Sequence, residues 1–179
     1  DDSTRSDLGR VAPPGTVSID RIPLPSTDGA LWLCGREDIA LDPEAALSYA
    51  DRATTVVCLL PSEELEMRYP TYLEWLRTNK AGRALWFPVR NFRAESADAT
   101  MPFLQMIVDR LEAGDGVVMH CAMGQGRAGT MAVCLLMMLG AHKNEALRTV
   151  AEHRLAAGPA GHWQWALVDG VAAALDHHQ

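Results

Sequence analysis

Residues 117–130, Val-Val-Met-His-Cys-Ala-Met-Gly-Gln-Gly-Arg-Ala-Gly-Thr, decide the fold. Val117 to His120 is an apolar, strand-forming run set off by the stop signal Gly114-Asp115-Gly116. From Arg127 to Leu139 the chain is almost continuously apolar, the pattern of a helix packed deep in a core. Between them lies a short loop carrying Gly124 and Gly126. A buried strand feeding through a glycine turn into a buried helix is a building unit of α/β architecture.

The flanking sequence repeats this alternation. Thr16 to Leu24 and Ala30 to Cys34, separated by Pro25-Ser26-Thr27-Asp28-Gly29, read as a hairpin. Asp42-Pro43 opens a helix running to Arg52, with Asp42 as N-cap. Thr54 to Leu60 reads as a strand covered on both faces. Residues 62–79 read as two short helices broken at Pro70, followed by a strand at Ala84 to Val89. An amphipathic helix is expected from Ala99 to Ala113, and two more around 143–156 and 161–176. The expected fold is therefore a three-layer α/β sandwich with a central, largely parallel sheet of about five strands.

With 179 residues, 48% hydrophobic and 22% charged, the chain suits one core. We expect a flexible N-terminal arm at residues 1–15, poor in anything to bury, and a single domain over 16–179. A net charge of −7 opposes a broad nucleic-acid footprint and a polybasic membrane anchor. No apolar run is long enough to span a bilayer, and a cytoplasmic location is expected. Cys34, Cys58, Cys121 and Cys134 show no CxxC pairing, so they read as buried or reactive thiols rather than as zinc ligands or disulfides. His177-His178 is too isolated for a metal site, and no cofactor or metal is expected.

The loop has its own chemistry. Gly124 and Gly126 let successive N–H groups turn into one concavity at a helix N-terminus, which favours an oxyanion. The same field, with the Arg127 guanidinium, favours thiolate at Cys121 and should bring its pKa below the free value of roughly 8.5. Arg127 can grip two phosphate oxygens with its planar fork. The expected phosphate-binding set is Ala122, Met123, Gly124, Gln125, Gly126 and Arg127, around the nucleophile Cys121.

His120-Cys121, five residues and Arg127 resemble the signature of the cysteine-dependent protein-tyrosine phosphatase superfamily. Val56 to Leu60 with Glu63-Glu64-Leu65, Phe87-Pro88-Val89, Arg154 and Gly161-His162-Trp163-Gln164 extend the resemblance, which is strongest to the dual-specificity group and its kinase-associated branch. The resemblance implies hydrolysis of a phosphomonoester through a cysteinyl-phosphate. The substrate would be a phosphoprotein (Tyr, Ser or Thr) or a small phosphate ester. Two positions depart from the pattern. Asn91 stands where such proteins carry an acid that protonates the leaving group, which makes Asp98 the favoured substitute and Glu95 the alternative. For Asp98 a capping role in the next helix is the competing reading. Ala128 stands where a hydroxyl assists release of the thiolate, with Thr130 further along as the candidate replacement.

Other residues carry secondary readings. Arg90 and Arg93 would sit beside the cavity, either facing a second anionic group or as solvated surface charge. His120 orders the loop, Cys58 is either a small buried hydrophobe or a disulfide partner of Cys121, and Trp163 and Trp165 either line the entrance or pack a helix. A phosphate-gripping module with weak turnover is the alternative function. A sulfurtransferase or arsenate-handling thiol enzyme is a more distant one.

Overall fold

A computed structural model describes residues 18–176. The arm expected at residues 1–15, the onset of the first strand at Thr16, and His177-His178 lie outside the described residues. The hairpin forms as expected: β1 (Ile19–Ile22) pairs antiparallel with β2 (Ala30–Gly35), Ile19 facing Cys34 and Ile22 facing Leu31. In α1 (Pro43–Tyr49) Asp42 accepts the Ala45 N–H at 3.0 Å. This helix stops short of Arg52, because Asp51 and Arg52 take φ of 57° and 59° to turn the chain into β3 (Thr55–Cys58).

Residues 62–79 hold one helix, not two. Ser62–Glu64 makes only a 3-10 turn, and Pro70 begins α2 (Pro70–Thr78), where its missing N–H leaves no bond unmade. β4 (Ala84–Trp86) ends before Pro88, although Phe87 and Val89 still donate to Cys58 and Leu59. α3 (Ala97–Glu112) starts two residues earlier than expected, since Ser96 Oγ accepts the Ala99 N–H at 3.2 Å. The remainder is β5 (Gly116–Cys121), α4 (Gly126–Met138), α5 (Lys143–His153) and α6 (His162–Asp176).

The strand order is β1-β2-β5-β3-β4, all parallel except β1, in the α/β sandwich expected from the sequence. β5 is central, buried along Val117, Val118 and Met119, and the helix it feeds, α4, packs against α3, α5, α6 and β5 itself. The chain visits β3 and β4 before returning to place β5 between β2 and β3. Ligands of open α/β sheets bind beyond the carboxyl ends of strands at such a reversal. At that edge lie the residues that follow β2, β3 and β5: Arg36, Glu64 and Ala122. Among the described residues no helix is long and apolar enough to cross a membrane.

Candidate active site

Beyond Cys121 the chain curls so that its carbonyls point outward. Ala122 O accepts from Arg36 N–H at 3.0 Å, and Gln125 O from Gly129 N–H at 2.9 Å and Gly158 N–H at 3.1 Å. Met123 O and Gly124 O accept from the Arg154 guanidinium at 2.9 and 2.7 Å. Gly126 O accepts from Thr130 Oγ1 at 2.6 Å. The amides of Met123, Gly124 and Gln125 find no acceptor among the described residues, and those of Gly126 and Arg127 head α4. Five outward carbonyls and a row of free N–H donors make a concave anion cradle. Gly124 is required twice over, by its φ of 70° and because a Cβ there would meet the Cys34 carbonyl.

Cys121 lies at the base of this cradle, 2% exposed, its Sγ receiving the Ala128 N–H at 3.5 Å. His120, one residue back, is fully buried between two partners. Its Nδ1 lies 3.1 Å from Cys121 O and its Nε2 lies 2.6 Å from Tyr72 OH. Burial, with the nearby Arg127 and Arg36 charges, lowers its pKa to about 4 against a donated bond to Cys121 O that favours the cation. At neutral pH the imidazole is therefore neutral, and the network assigns Nδ1–H to Cys121 O and the Tyr72 hydroxyl proton to Nε2.

Arg127 is held from behind. Glu64 grips it bidentately, Oε2 to Nη1 at 2.7 Å and Oε1 to Nη2 at 3.0 Å, and Val89 O accepts from Nη1 at 2.8 Å. Its Nε is buried with no acceptor among the described residues. Arg154 fixes the outer wall: besides the two loop carbonyls, its Nη1 reaches Asp20 Oδ2 at 2.8 Å and Ser18 Oγ at 3.0 Å. Gln164, 1% exposed, accepts from Ala160 N–H at 2.9 Å and Thr130 Oγ1 at 3.3 Å.

The structure thus brings together Cys121, Arg127 and residues 122–126. Asp98 stands apart, exposed in the first turn of α3. Glu95 lies nearer: with Arg127, Thr100 and Thr130 it lines a small cavity of about 10 Å³, and with Arg90, Arg93 and Trp163 an open one of about 760 Å³. The Thr130 hydroxyl is engaged by Gly126 O and Gln164, away from Cys121, so nothing there restores what Ala128 lacks. Cys58 is a free thiol opposite His120 rather than Cys121, directed at Leu60 O, with its pKa pushed up to about 12 by burial. Glu64, Tyr72 and Arg36 carry site roles that sequence reading did not assign. The visible signal for Glu64 was an acidic pair just past a buried strand's carboxyl end.

Comparison with solved structures finds the same fold. Kinase associated phosphatase, in a form whose catalytic-site cysteine is replaced by serine, superposes with a TM-score of 0.71 at 17% identity, covering 92% of this chain and 98% of that one. Tk-PTP in its active form gives 0.61 at 24% identity over 81% and 91%. PTPMT1 in complex with PI(5)P gives 0.66 at 16% over 83% and 94%. Comparison with curated protein sequences finds no match. The family model for PTP-SAK, described as Swiss Army Knife protein, DSP-PTPase phosphatase domain, matches residues 43–176. That span carries the cradle, Glu64 and Arg154, and with three quarters of its residues so matched this chain belongs to the PTP-SAK family of dual-specificity-type phosphatase domains.

Proposed function

We propose that the domain over residues 16–179 hydrolyses phosphate monoesters through a cysteinyl-phosphate on Cys121. The observation that carries this reading is the set of five outward-bonded carbonyls from Ala122 to Gly126, which leaves the loop amides facing one concavity above a buried thiol. The Cys121 thiolate attacks phosphorus, and the bond to the leaving oxygen breaks as that oxygen takes a proton. Loop amides and Arg127 hold the equatorial oxygens. Glu64 and Val89 O take both Nη1 protons and one of the two on Nη2, so the Nε–H and the second Nη2–H of Arg127 have no acceptor among the described residues. Water then attacks phosphorus as the phosphorus–sulfur bond breaks, its proton passing to the carboxylate that protonated the leaving group, which releases phosphate and restores the thiolate.

The proton donor comes from Asp98 or Glu95, and the cavity shared with Arg127 favours Glu95. Glu95→Gln should slow turnover more than Asp98→Asn, most of all with poor leaving groups. The loop contains no Lys, which favours a phosphoprotein over an inositol lipid as substrate. Phosphate release from p-nitrophenyl phosphate tests the whole reading, and a wild-type rate no higher than that of Cys121→Ser would overturn it. Asn91 and Ala128 favour a second reading, a phosphate-gripping module of weak turnover. Asn91→Asp combined with Ala128→Ser should raise the rate sharply if those losses limit it, and an unchanged rate removes that explanation.

A further inference from the structure

The open cavity of about 760 Å³ beside the cradle is lined by three cations, Lys80, Arg90 and Arg93, against two carboxylates, Glu63 and Glu95, with Trp163 at its side. Several cations elsewhere hold carboxylates: Arg83 on Glu44, Lys143 on Asp169, Arg154 on Asp20. The side chains of Lys80 and Arg90 have no acceptor among the described residues, and Arg93 is stacked over the Trp163 ring at 5.2 Å. On a chain of net charge −7, unpaired cations gathered in a concavity focus a local field for an anion. Arg93 and Glu95 line both this cavity and the small one against Arg127, so one loop separates it from the cradle.

A second observation concerns size. Large exposed hydrophobics adjoin the cradle on several sides: Met123 within it, Leu155 whose carbonyl accepts from Gln125, and Phe92 and Trp163 beside Arg93 and Gln164. Phe92 is 70% exposed and held at a φ of 62°, a strained conformation for an aromatic residue. Apolar side chains around the mouth favour a macromolecular substrate, and the net negative charge opposes an anionic membrane.

We propose that this cavity binds an acidic side chain of a phosphopeptide whose phosphate occupies the cradle, a reading that rests on the cradle being a phosphomonoester site. The test compares a phosphotyrosine peptide carrying flanking aspartates with the same peptide carrying asparagines. Wild type should prefer the acidic peptide by about tenfold in kcat/KM, expressed in KM, and the Lys80→Ala/Arg90→Ala double variant should cut that preference to about twofold. In the Cys121→Ser form the same preference should appear in Kd by calorimetry. A chain that binds selectively but hydrolyses nothing therefore supports the subsite while counting against the hydrolytic reading alone. Equal handling of the two peptides, or a preference that survives in the double variant, overturns the proposal. So does binding to PI(5)P-containing vesicles that depends on Lys80 and Arg90 and is unaccompanied by peptide preference, which would assign the cations to a lipid headgroup.

Discussion

Arg127 is 2% exposed at its side chain, and among the described residues Glu64 is the only carboxylate that touches it. Removing one partner of a buried, bidentate pair strands the other charge, which typically costs about 3–5 kcal/mol. Glu64→Gln keeps the shape and one oxygen but loses the charge. We expect a fall in urea stability toward that range, together with slower turnover, as Arg127 loses its fixed orientation. A loss below about 1 kcal/mol with unchanged kcat would show that Val89 O alone positions the guanidinium. His120 makes a pH prediction. The unfolded chain takes up its proton near 6.5 and the folded chain at about 4, so between those values the unfolded state binds more protons and stability falls as pH falls. The span corresponds to a contribution on the order of 3 kcal/mol. The stability gap between wild type and His120→Asn should therefore narrow from pH 6.5 to 4, and parallel curves would contradict a buried neutral imidazole. Cys121, Gly124 and Arg127 were legible in the sequence because their chemistry is local to one turn. The contacts of Glu64 with Arg127, Tyr72 with His120 and Arg154 with Gly124 were not, since they close across 63, 48 and 30 residues of chain, although Arg154 was flagged by the family resemblance.

α4 shows how an element is placed by what it lacks. A Cβ on Gly129 would run into the backbone of Ala157 and Gly158, the linker that leads from α5 toward α6. That linker begins at Arg154, whose guanidinium holds the loop carbonyls, and Gly158 N–H itself donates to Gln125 O. Gly129→Ala therefore sets two effects against each other. Alanine is the better helix former by about 1 kcal/mol, while overpacking against rigid backbone costs about 1–3 kcal/mol. We expect net destabilisation with lost turnover, because displacing the linker also displaces Arg154. A variant more stable than wild type by urea unfolding would mean that the linker yields freely. At this scale the sequence was readable wherever a periodic run or a cap marked an element, as at Asp42 and along α4. It misled where another local signal set the end. Pro70 starts a helix instead of dividing two, and Ser96 caps α3 ahead of the Asp98 turn.

For the whole molecule, the consequence of placing β5 between β2 and β3 is that three strand ends converge on one point. Arg36 follows β2, Glu64 ends the 3-10 turn after β3, and the cradle follows β5, each tied to a buried strand. A site built this way is preformed in the native state and absent from the unfolded chain, so an anion that fits it stabilises the fold by mass action. Tungstate is a suitable probe because it occupies an oxyanion site without being hydrolysed. At a concentration about 100 times its Kd the gain is about 2.7 kcal/mol, which for a chain of this size corresponds to a Tm rise of about 5–10 °C. Cys121→Ser keeps every amide of the cradle and should show a comparable rise, whereas Gly124→Ala, which cannot adopt the loop backbone, should show little. A Tm unmoved by tungstate in both wild type and Cys121→Ser would mean that the loop amides do not converge on an anion, and the proposed chemistry would fail with them.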